Sequence, residues 1–400
     1  MNILVINAGS SSLKYQLFNM DDMSVPAKGI AERIGIEGSR LVHRPTGKTP
    51  VEINRPMPDH TTAMQLVLEA LADKEHGVVT DMNQIHAVGH RVLHGGEEFA
   101  GSYLINDMVM TAIRANVPLG PLHNPANIMG IEACQQVMPD VPMVAVFDTA
   151  FHQTMPPKAF MYALPKDYYT RLKVRKYGFH GTSHRFVTRR AAEFLGRDTK
   201  DVKLITCHLG NGSSMAAVKY GKCIDTSMGL TPLEGMVMGT RSGDLDPAVI
   251  GYICQHDNVD VQDMMDILNK KSGLLGISGF SSDMRDILTA AEEGDADARL
   301  AVDMLCYRIK KYIGSYMAAL EGADAIIFTA GIGENNPYIR QLSTEGLEFL
   351  GIRLDKEKNY TARGKADISA EDATVRTLVI PTDEELVIAL DTMELVSAQS

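Results

Sequence analysis

The stretch ILVINAGSSSLKYQLFNM, residues 3–20, sets the terms of the fold. It opens as an apolar run, Ile3-Leu4-Val5-Ile6, of the kind found in a strand buried on both faces. The run breaks into Asn7-Ala8-Gly9-Ser10-Ser11-Ser12-Leu13-Lys14 and resumes as Tyr15-Gln16-Leu17-Phe18. One amide, one glycine, three hydroxyls and a lysine form a turn whose N–H groups can converge on one point. Such a turn suits phosphate oxygens, and Lys14 adds a positive charge. The strand is interrupted to build an anion cradle.

The plan recurs 200 residues later. In LITCHLGNGSSMAAVKYGKCID (204–225) an apolar strand runs into a Gly/Asn/Ser turn and out into a second strand. Two readings fit this echo: unrelated hairpins, or a duplicated domain with a phosphate-facing hairpin in each half. Elsewhere short apolar runs alternate with helical periodicity, which predicts an α/β architecture. The strands expected most clearly cover 3–6, 143–147, 204–207, 325–328 and 377–380, and helices are expected over 61–73 and 183–196. Asp246-Pro247 reads as an N-cap followed by proline at the first helical position. Polar groups repeatedly follow the strand ends: Asn7, Asp148, His208, Asn211 and Gly331. In open α/β sheets ligands bind at those ends.

The bulk composition narrows the function classes. The chain has 400 residues, 45% hydrophobic and 22% charged, with a net charge of -11. No long basic run interrupts the acidity, which argues against a nucleic-acid partner. An anionic substrate must therefore be held by a few local cations and N–H groups. Five scattered cysteines without C-x-x-C spacing argue against a disulfide framework or structural zinc and predict a reducing, cytoplasmic setting. Neither a leader nor a membrane span is expected.

Neither a P-loop nor a complete G-x-G-x-x-G fingerprint is present. GNGSS alone occurs in many turns, and AGIGEN (330–335) reads as a loop before a helix opening near Asn336-Pro337. Arg91, in GHRVLHGG (89–96), and Arg241, in MGTRSGDLDP (238–247), are either solvated surface residues or forks for a carboxylate or phosphate. His90/His94 and His180/His184 have the spacing of zinc ligands but lack the glutamate of H-E-x-x-H. Thr182 or Ser183 is a candidate helix cap that would leave His180 in the preceding loop. His123 in PLGPLHNPAN (118–127) fits a buried structural histidine as well as a ligand contact. Thr382 and Glu385 stand at capping-box spacing, with Glu384 either complementing the helix dipole or helping to hold a metal ion.

Taken in order, these stretches resemble the acetate kinase (acetokinase) family. NAGSSSLKYQLF, GHRVLHGG, PLHNP, VFDTAFH, YGFHGTSH, LITCHLGNGSSMAAVKYGKCIDTSMG, MGTRSGDLDP, AGIGENN and PTDEE all match, and the likeness spans nearly the whole chain. It implies the duplicated actin-like, ribonuclease-H-like α/β fold of the sugar-kinase superfamily, with a nucleotide cleft between two domains. The domains would cover 1–150 with 385–400, and 151–384. It also implies a homodimer, ATP or ADP as co-substrate, and Mg2+, with Mn2+ as a substitute.

Residue by residue, the resemblance implies Mg2+ at Asn7 and Glu384. Nucleotide would meet Lys14, then His208, Leu209, Gly210, Asn211 and Gly212. It would also meet Asp283, Met284 and Arg285, and Gly331, Ile332, Gly333, Glu334 and Asn335. Arg91 would bind the acyl substrate, Arg241 and His180 would stabilise the transition state, and His123 would lie near the transferring phosphoryl group. Asp148 would be the essential acid, and Leu93, Leu122, Phe179 and Pro232 would surround the acetate methyl. A carboxylate acceptor is already ionised at pH 7, so it needs no general base. Asp148 then has a more economical role in orienting an arginine or a metal-bound water. Leu93 stands where the family more often has valine, and propionate-using relatives alanine, which predicts a preference for acetate. The rival readings are a propionate kinase of the same family and an actin-like ATPase that transfers no phosphoryl group to an acid.

Overall fold

The opening apolar run lies in β1 (Asn2–Ala8), where Ile3, Leu4, Val5 and Ile6 are each at most 1% exposed. Such a run needs cover on both faces, and the surrounding unit supplies it. The computed structural model describes residues 1–398, in two units. Unit 1 comprises Met1–Gln153 and the segment from Asp383, and unit 2 comprises Thr154–Thr382.

Unit 1 is built on an eight-stranded sheet. β1, β2 (Ser12–Asn19), β3 (Ser24–Glu32), β4 (Arg40–Pro45) and β5 (Val51–Asn54) form an antiparallel meander. On the other side of β1 lie β6 (Ala87–Val92), β7 (Ser102–Leu104) and β8 (Met143–Phe147). The spatial order is β5-β4-β3-β2-β1-β6-β8-β7, with β1, β6 and β8 parallel. Leu4, Ile6, Leu13, Tyr15 and Leu17 pack with Met64 and Val67 of the helix His60–Leu71. Ile3, Val5, Phe18, Val144 and Val146 on the opposite face pack with Ile388 and Ala389 of the helix Glu384–Ser397. Each such side chain is worth roughly 1.5–3 kcal/mol when fully buried. The approach is close because β6 offers Gly89 there. A Cβ on Gly89 would come within 2.5 Å of Thr392 Oγ1 and 2.6 Å of Ile388 Cγ2.

Unit 2 repeats the central topology. β9 (Lys203–Leu209), β10 (Ser213–Lys219) and β11 (Lys222–Thr226) form a meander, followed by β12 (Ala325–Thr329), β13 (Ala366–Asp367) and β14 (Arg376–Val379). Its order is β11-β10-β9-β12-β14-β13, with β9, β12 and β14 parallel. The series β3-β2-β1-β6-β8 and β11-β10-β9-β12-β14 have the same order and directions, so the two hairpins are equivalent. The fold is α/β and duplicated.

Four local expectations change. The helix Glu384–Ser397 is capped by Asp383, whose side chain accepts the Leu386 N–H at 3.0 Å, and Thr382 has another task described below. AGIGEN is itself a short helix, Ala330–Asn335, because Ala330 adopts φ 64° and turns the chain at once. Asn336 then caps the helix Pro337–Thr344 by accepting the Ile339 N–H. The helix Gly181–Phe194 starts two residues before 183, and its N-cap is His180, in the left-handed region at φ 56°. At Asp246 the side chain accepts the Ala248 N–H at 2.9 Å, but the N-cap is Pro247 and the helix runs Ala248–Asp257, one residue later than expected.

Candidate active site

In unit 1 the polar residues collect at the carboxyl ends of the parallel strands. Asn7 on β1 faces Lys14 across the hairpin. Lys14 is exposed, and neither side chain has a hydrogen-bond partner among the described residues. The turn between them is closed by the Gly9 N–H on the Ser12 carbonyl at 2.8 Å. His60 Nε2 lies 2.7 Å from the Gly9 carbonyl and ties the turn to the helix His60–Leu71.

Arg91, near the end of β6, meets Asp148, the first residue after β8. Nε donates to Oδ1 at 3.1 Å and Nη2 donates to Oδ2 at 2.6 Å. The Asp148 side chain is 0% exposed and that of Arg91 is 29% exposed. This is the bidentate geometry that fixes a guanidinium in one orientation. Nη1 has no partner among the described residues. Asp148 accepts two N–H groups of Arg91 and so fixes the direction in which the guanidinium points.

Glu384 begins the C-terminal helix of this unit and lies within electrostatic reach of Arg91 and Asp148. Its Oε1 is buried with no hydrogen-bond partner. Burial pushes its carboxyl up to about 7, against the pull of Arg91 and with help from Asp148, Glu385 and Asp383. This oxygen lies among carboxylates with no hydrogen-bond donor of its own. An amide oxygen at Asn7 and a carboxylate at Glu384 are the hard donors that Mg2+ accepts, with phosphate and water completing its shell. The residues fit such an ion. No group of three or more His, Cys, Asp or Glu suited to a metal occurs among the described residues.

The strand end at Leu93 and His94 is held by residues that sequence reasoning missed. Asn127 Oδ1 accepts the Leu93 N–H at 3.0 Å, and its Nδ2 donates to the Ala8 carbonyl at 3.0 Å. Asn124 Oδ1 accepts the His94 N–H at 3.1 Å, and its Nδ2 donates to the His94 carbonyl at 3.0 Å. Both asparagines lie on the helix Asn124–Val137, and both are buried. HNPAN carried the only signal, and it pointed to the histidine. Leu93 is buried, Leu122 is 68% exposed, and His123 is exposed at the helix N-cap, which removes the buried-histidine reading.

In unit 2 the hairpin turn Gly210-Asn211-Gly212 gathers Arg241 and His180. A Cβ on Gly212 would lie 2.9 Å from Arg241 Nη2 and 3.6 Å from His180 Nε2. The Asn211 carbonyl accepts the Gly239 N–H at 2.9 Å, which fixes the arginine loop to the turn. Arg241 Nη1 donates to the Pro232 carbonyl at 2.7 Å. No carboxylate pairs with Arg241 among the described residues, and burial lowers its pKa from the ordinary arginine value. An arginine stays charged regardless, so this is a largely enclosed cation without a carboxylate beside it among the described residues. Phe179, 1% exposed, precedes His180.

The His180 ring stacks on His208 with centroids 4.1 Å apart. His180 Nδ1 and His184 Nε2 both lie 2.8 Å from Ser214 Oγ, so a hydroxyl stands where a shared zinc ion would sit. His208 Nδ1 lies 2.8 Å from Ser183 Oγ, which is 2.8 Å from Thr382 Oγ1. Ser183 thus serves this chain of contacts and not the helix cap. Glu334 Oε1 accepts the N–H groups of Ala330, at 2.7 Å, and Thr382, at 3.1 Å, so its side chain braces 330–335 from within. Buried Arg340, also missed, donates to the carbonyls of Gly333 and Glu334, both at 2.9 Å, and closes that helix. Asp283 caps the helix Met284–Glu292 and pairs with the Arg285 guanidinium at 2.6 Å on the surface.

Known proteins carry the same pattern. A model of the acetokinase family matches residues 2–390. An acetate kinase of Treponema denticola is 61% identical over 99% of this chain and 100% of its own length. One from Thermotoga maritima is 59% identical over 99% of each. Among solved structures, Porphyromonas gingivalis acetate kinase superposes with a TM-score of 0.96 at 45% identity, covering 99% of both chains. A Francisella tularensis propionate kinase gives 0.91 at 42% identity, covering 98% of this chain and 99% of its own. The chain belongs to the acetokinase family.

Proposed function

We propose that the protein transfers a phosphoryl group reversibly between ATP and acetate, giving ADP and acetyl phosphate by direct in-line displacement. An acetate oxygen forms a bond to the γ-phosphorus while the bond from that phosphorus to the β,γ-bridging oxygen breaks, and ADP departs. No proton leaves the acceptor, which is already an anion. The difficulty is to bring two anions together and hold them in line.

The observation that carries this reading is the pairing of Arg91 with a buried Asp148, a guanidinium fixed with one edge to spare. Arg91 Nη1 is proposed to hold the acetate carboxylate, with Asp148 setting its angle. Arg241 and His180, converging at Gly212, would meet the charge that spreads over the equatorial oxygens. Lys14 and the 208–212 turn would hold phosphate, and the segments 283–285 and 331–335 the rest of the nucleotide. His123 would lie beside the transferring group. Asn7 and Glu384 would hold Mg2+, or Mn2+ in its place, which neutralises phosphate charge when bound.

Leu93, with Leu122, Phe179 and Pro232, is proposed to limit the acyl pocket. One methylene is worth roughly 1–3 kcal/mol in such a pocket, so acetate should exceed propionate in kcat/KM by about tenfold or more. The propionate kinase reading keeps a claim through the Francisella tularensis likeness. Hydroxylamine trapping with ATP, Mg2+ and either acid decides between them. Faster acetyl hydroxamate is expected; faster propionyl hydroxamate overturns the preference, and ADP without hydroxamate overturns the kinase reading.

A homodimer is proposed on the family likeness and on Leu300, Met304 and Tyr307. These residues are 51%, 39% and 64% exposed along the helix Ala296–Leu320, an apolar stripe that a second copy would cover. Light scattering checks it. A cytoplasmic setting is consistent with five free cysteines, four of them buried. No helix among the described residues is long and apolar enough to cross a membrane.

A further inference from the structure

The loop that carries Arg241 leaves and returns at one place. Its ends are Gly235 and Asp244: the Gly235 N–H donates to Asp244 Oδ1 at 2.8 Å, and the Asp244 N–H donates to the Gly235 carbonyl at 3.0 Å. Glycine stands at both flanks in the left-handed region, Gly235 at φ 106° and Gly243 at φ 69°. A Cβ on Gly235 would lie 2.6 Å from the Ser227 carbonyl oxygen, and one on Gly243 would collide with the Met236 carbonyl. Glycine loses more conformational freedom on folding than any other residue, so this neck needs a fastening from outside the loop.

A single helix supplies it. Arg308 and Tyr312 stand one turn apart on the helix Ala296–Leu320 and so share a face. Arg308 Nη1 donates to the Gly235 carbonyl at 2.7 Å, and Nη2 donates to the Asp244 carbonyl at 3.2 Å. Nη1 also lies 3.3 Å from Asp244 Oδ2, which accepts the Tyr312 hydroxyl at 2.8 Å. One planar fork thus spans both ends of the loop, a geometry that the point charge of a lysine does not supply. Both carboxylate oxygens of Asp244 are engaged, one by the loop and one by the helix.

The neck matters because the contact that aims Arg241 crosses it. Arg241 Nη1 donates to the carbonyl of Pro232, which lies before the neck, whereas Arg241 lies within the loop. Near the tip, the Gly239 N–H donates to the Asn211 carbonyl at 2.9 Å, and Arg241 Nη2 reaches the surface of Gly212. A loop pivoting at its glycines would lose the bonds to Pro232 and Asn211 together. We propose that Asp244, Arg308 and Tyr312 are positioning residues that lock the neck of the 235–244 loop and so hold the Arg241 guanidinium at the 210–212 turn.

The purpose of the lock rests on the role proposed above for Arg241, whereas its existence is tested without any activity. Hydrogen–deuterium exchange on the full-length protein reads the loop directly. Arg308→Ala should speed exchange over 235–244 by about tenfold or more and leave β9 and β10 as in wild type. Unchanged exchange in the loop, or equal acceleration throughout the chain, overturns the proposal. Tyr312→Phe removes one hydroxyl, should act in the same direction to a smaller extent, and gives the reading should the alanine variant fail to fold.

The second readout is kinetic. Arg308→Ala should lower kcat by about tenfold or more with KM for ATP within about twofold, as a small misplacement of a transition-state group does. In an Arg241→Ala background the same change should cost no more than about twofold further, because both act through one guanidinium. Losses that multiply would show that Arg308 acts by another route and overturn the proposal. Near-normal kcat in Arg241→Ala alone would instead overturn the role proposed for that arginine, and loop exchange would still decide the lock.

Discussion

At the scale of single residues, the site is organised by what each buried charge is given as a partner. Asp148 is 0% exposed and its two short bonds come from Arg91. Removing the arginine strands a carboxylate in the interior, which costs about 3–5 kcal/mol for pairs of this kind. Arg91→Ala should therefore lose both activity and that much stability in urea denaturation. Asp148→Asn, which keeps the shape, should stay within about 1–2 kcal/mol of wild type and fail mainly in kcat. Near-normal kcat in Asp148→Asn would remove its orienting role. Glu384 presents the reverse case, a buried carboxyl with an oxygen that no hydrogen bond reaches, for which we propose Mg2+ as partner. Its folded pKa is raised to about 7 from an ordinary 4.5, so in metal-free protein its contribution is present below pH 4.5 and is lost as pH rises through 7. Glu384→Gln should raise the metal-free Tm at pH 8 and abolish the Mg2+-induced rise. A persistent Mg2+ shift in that variant would place the ion elsewhere. A metal role for Glu384 was one of two readings of PTDEE; its burial and raised carboxyl were not readable there.

At the scale of elements, strand ends position the chemistry and buried polar groups hold those ends. β6 delivers Arg91, and its neighbour His90 is 2% exposed with Nε2 unpartnered. Burial lowers the His90 pKa to about 3 from an ordinary 6.5. The folded strand thus favours a neutral imidazole. The stability this gives is full above pH 6.5 and falls by about 1.4 kcal/mol per unit as pH drops toward 3. His90→Leu should flatten the acid side of the urea-midpoint profile between pH 6.5 and 5, and an unchanged slope would show that another group controls it. The strands themselves were legible, because β1, β8, β9 and β12 are nearly uninterrupted apolar runs. Caps were less so. Asp383, Thr382 and Ser183 all have capping chemistry, and only the path of the backbone selects Asp383 for the task.

At the scale of the whole molecule, the chain begins and ends in unit 1. The helix Glu384–Ser397 covers Ile3, Val5, Phe18, Val144 and Val146 and also carries Glu384. A chain ending at residue 382 should expose that face, bind a hydrophobic dye and lose the Mg2+ shift together with activity. A monodisperse, dye-silent truncation would show that the helix is dispensable for the core. The duplication was legible because two hairpins with the same Gly/Asn/Ser chemistry lie 200 residues apart, and the matching strand order repeats it. By itself the sequence determined the buried strands, the anion-binding turns, the set of motif residues and, through them, the family. Those signals are local, written in periodicity and in residue types that a turn or a strand end requires. Only the tertiary structure decided that Arg91 belongs to Asp148, 57 residues away, that Asn124 and Asn127 hold the strand ends, and that Ser214 stands between two histidines. Such partnerships depend on register and on which strand lies beside which, and no window of sequence contains both members.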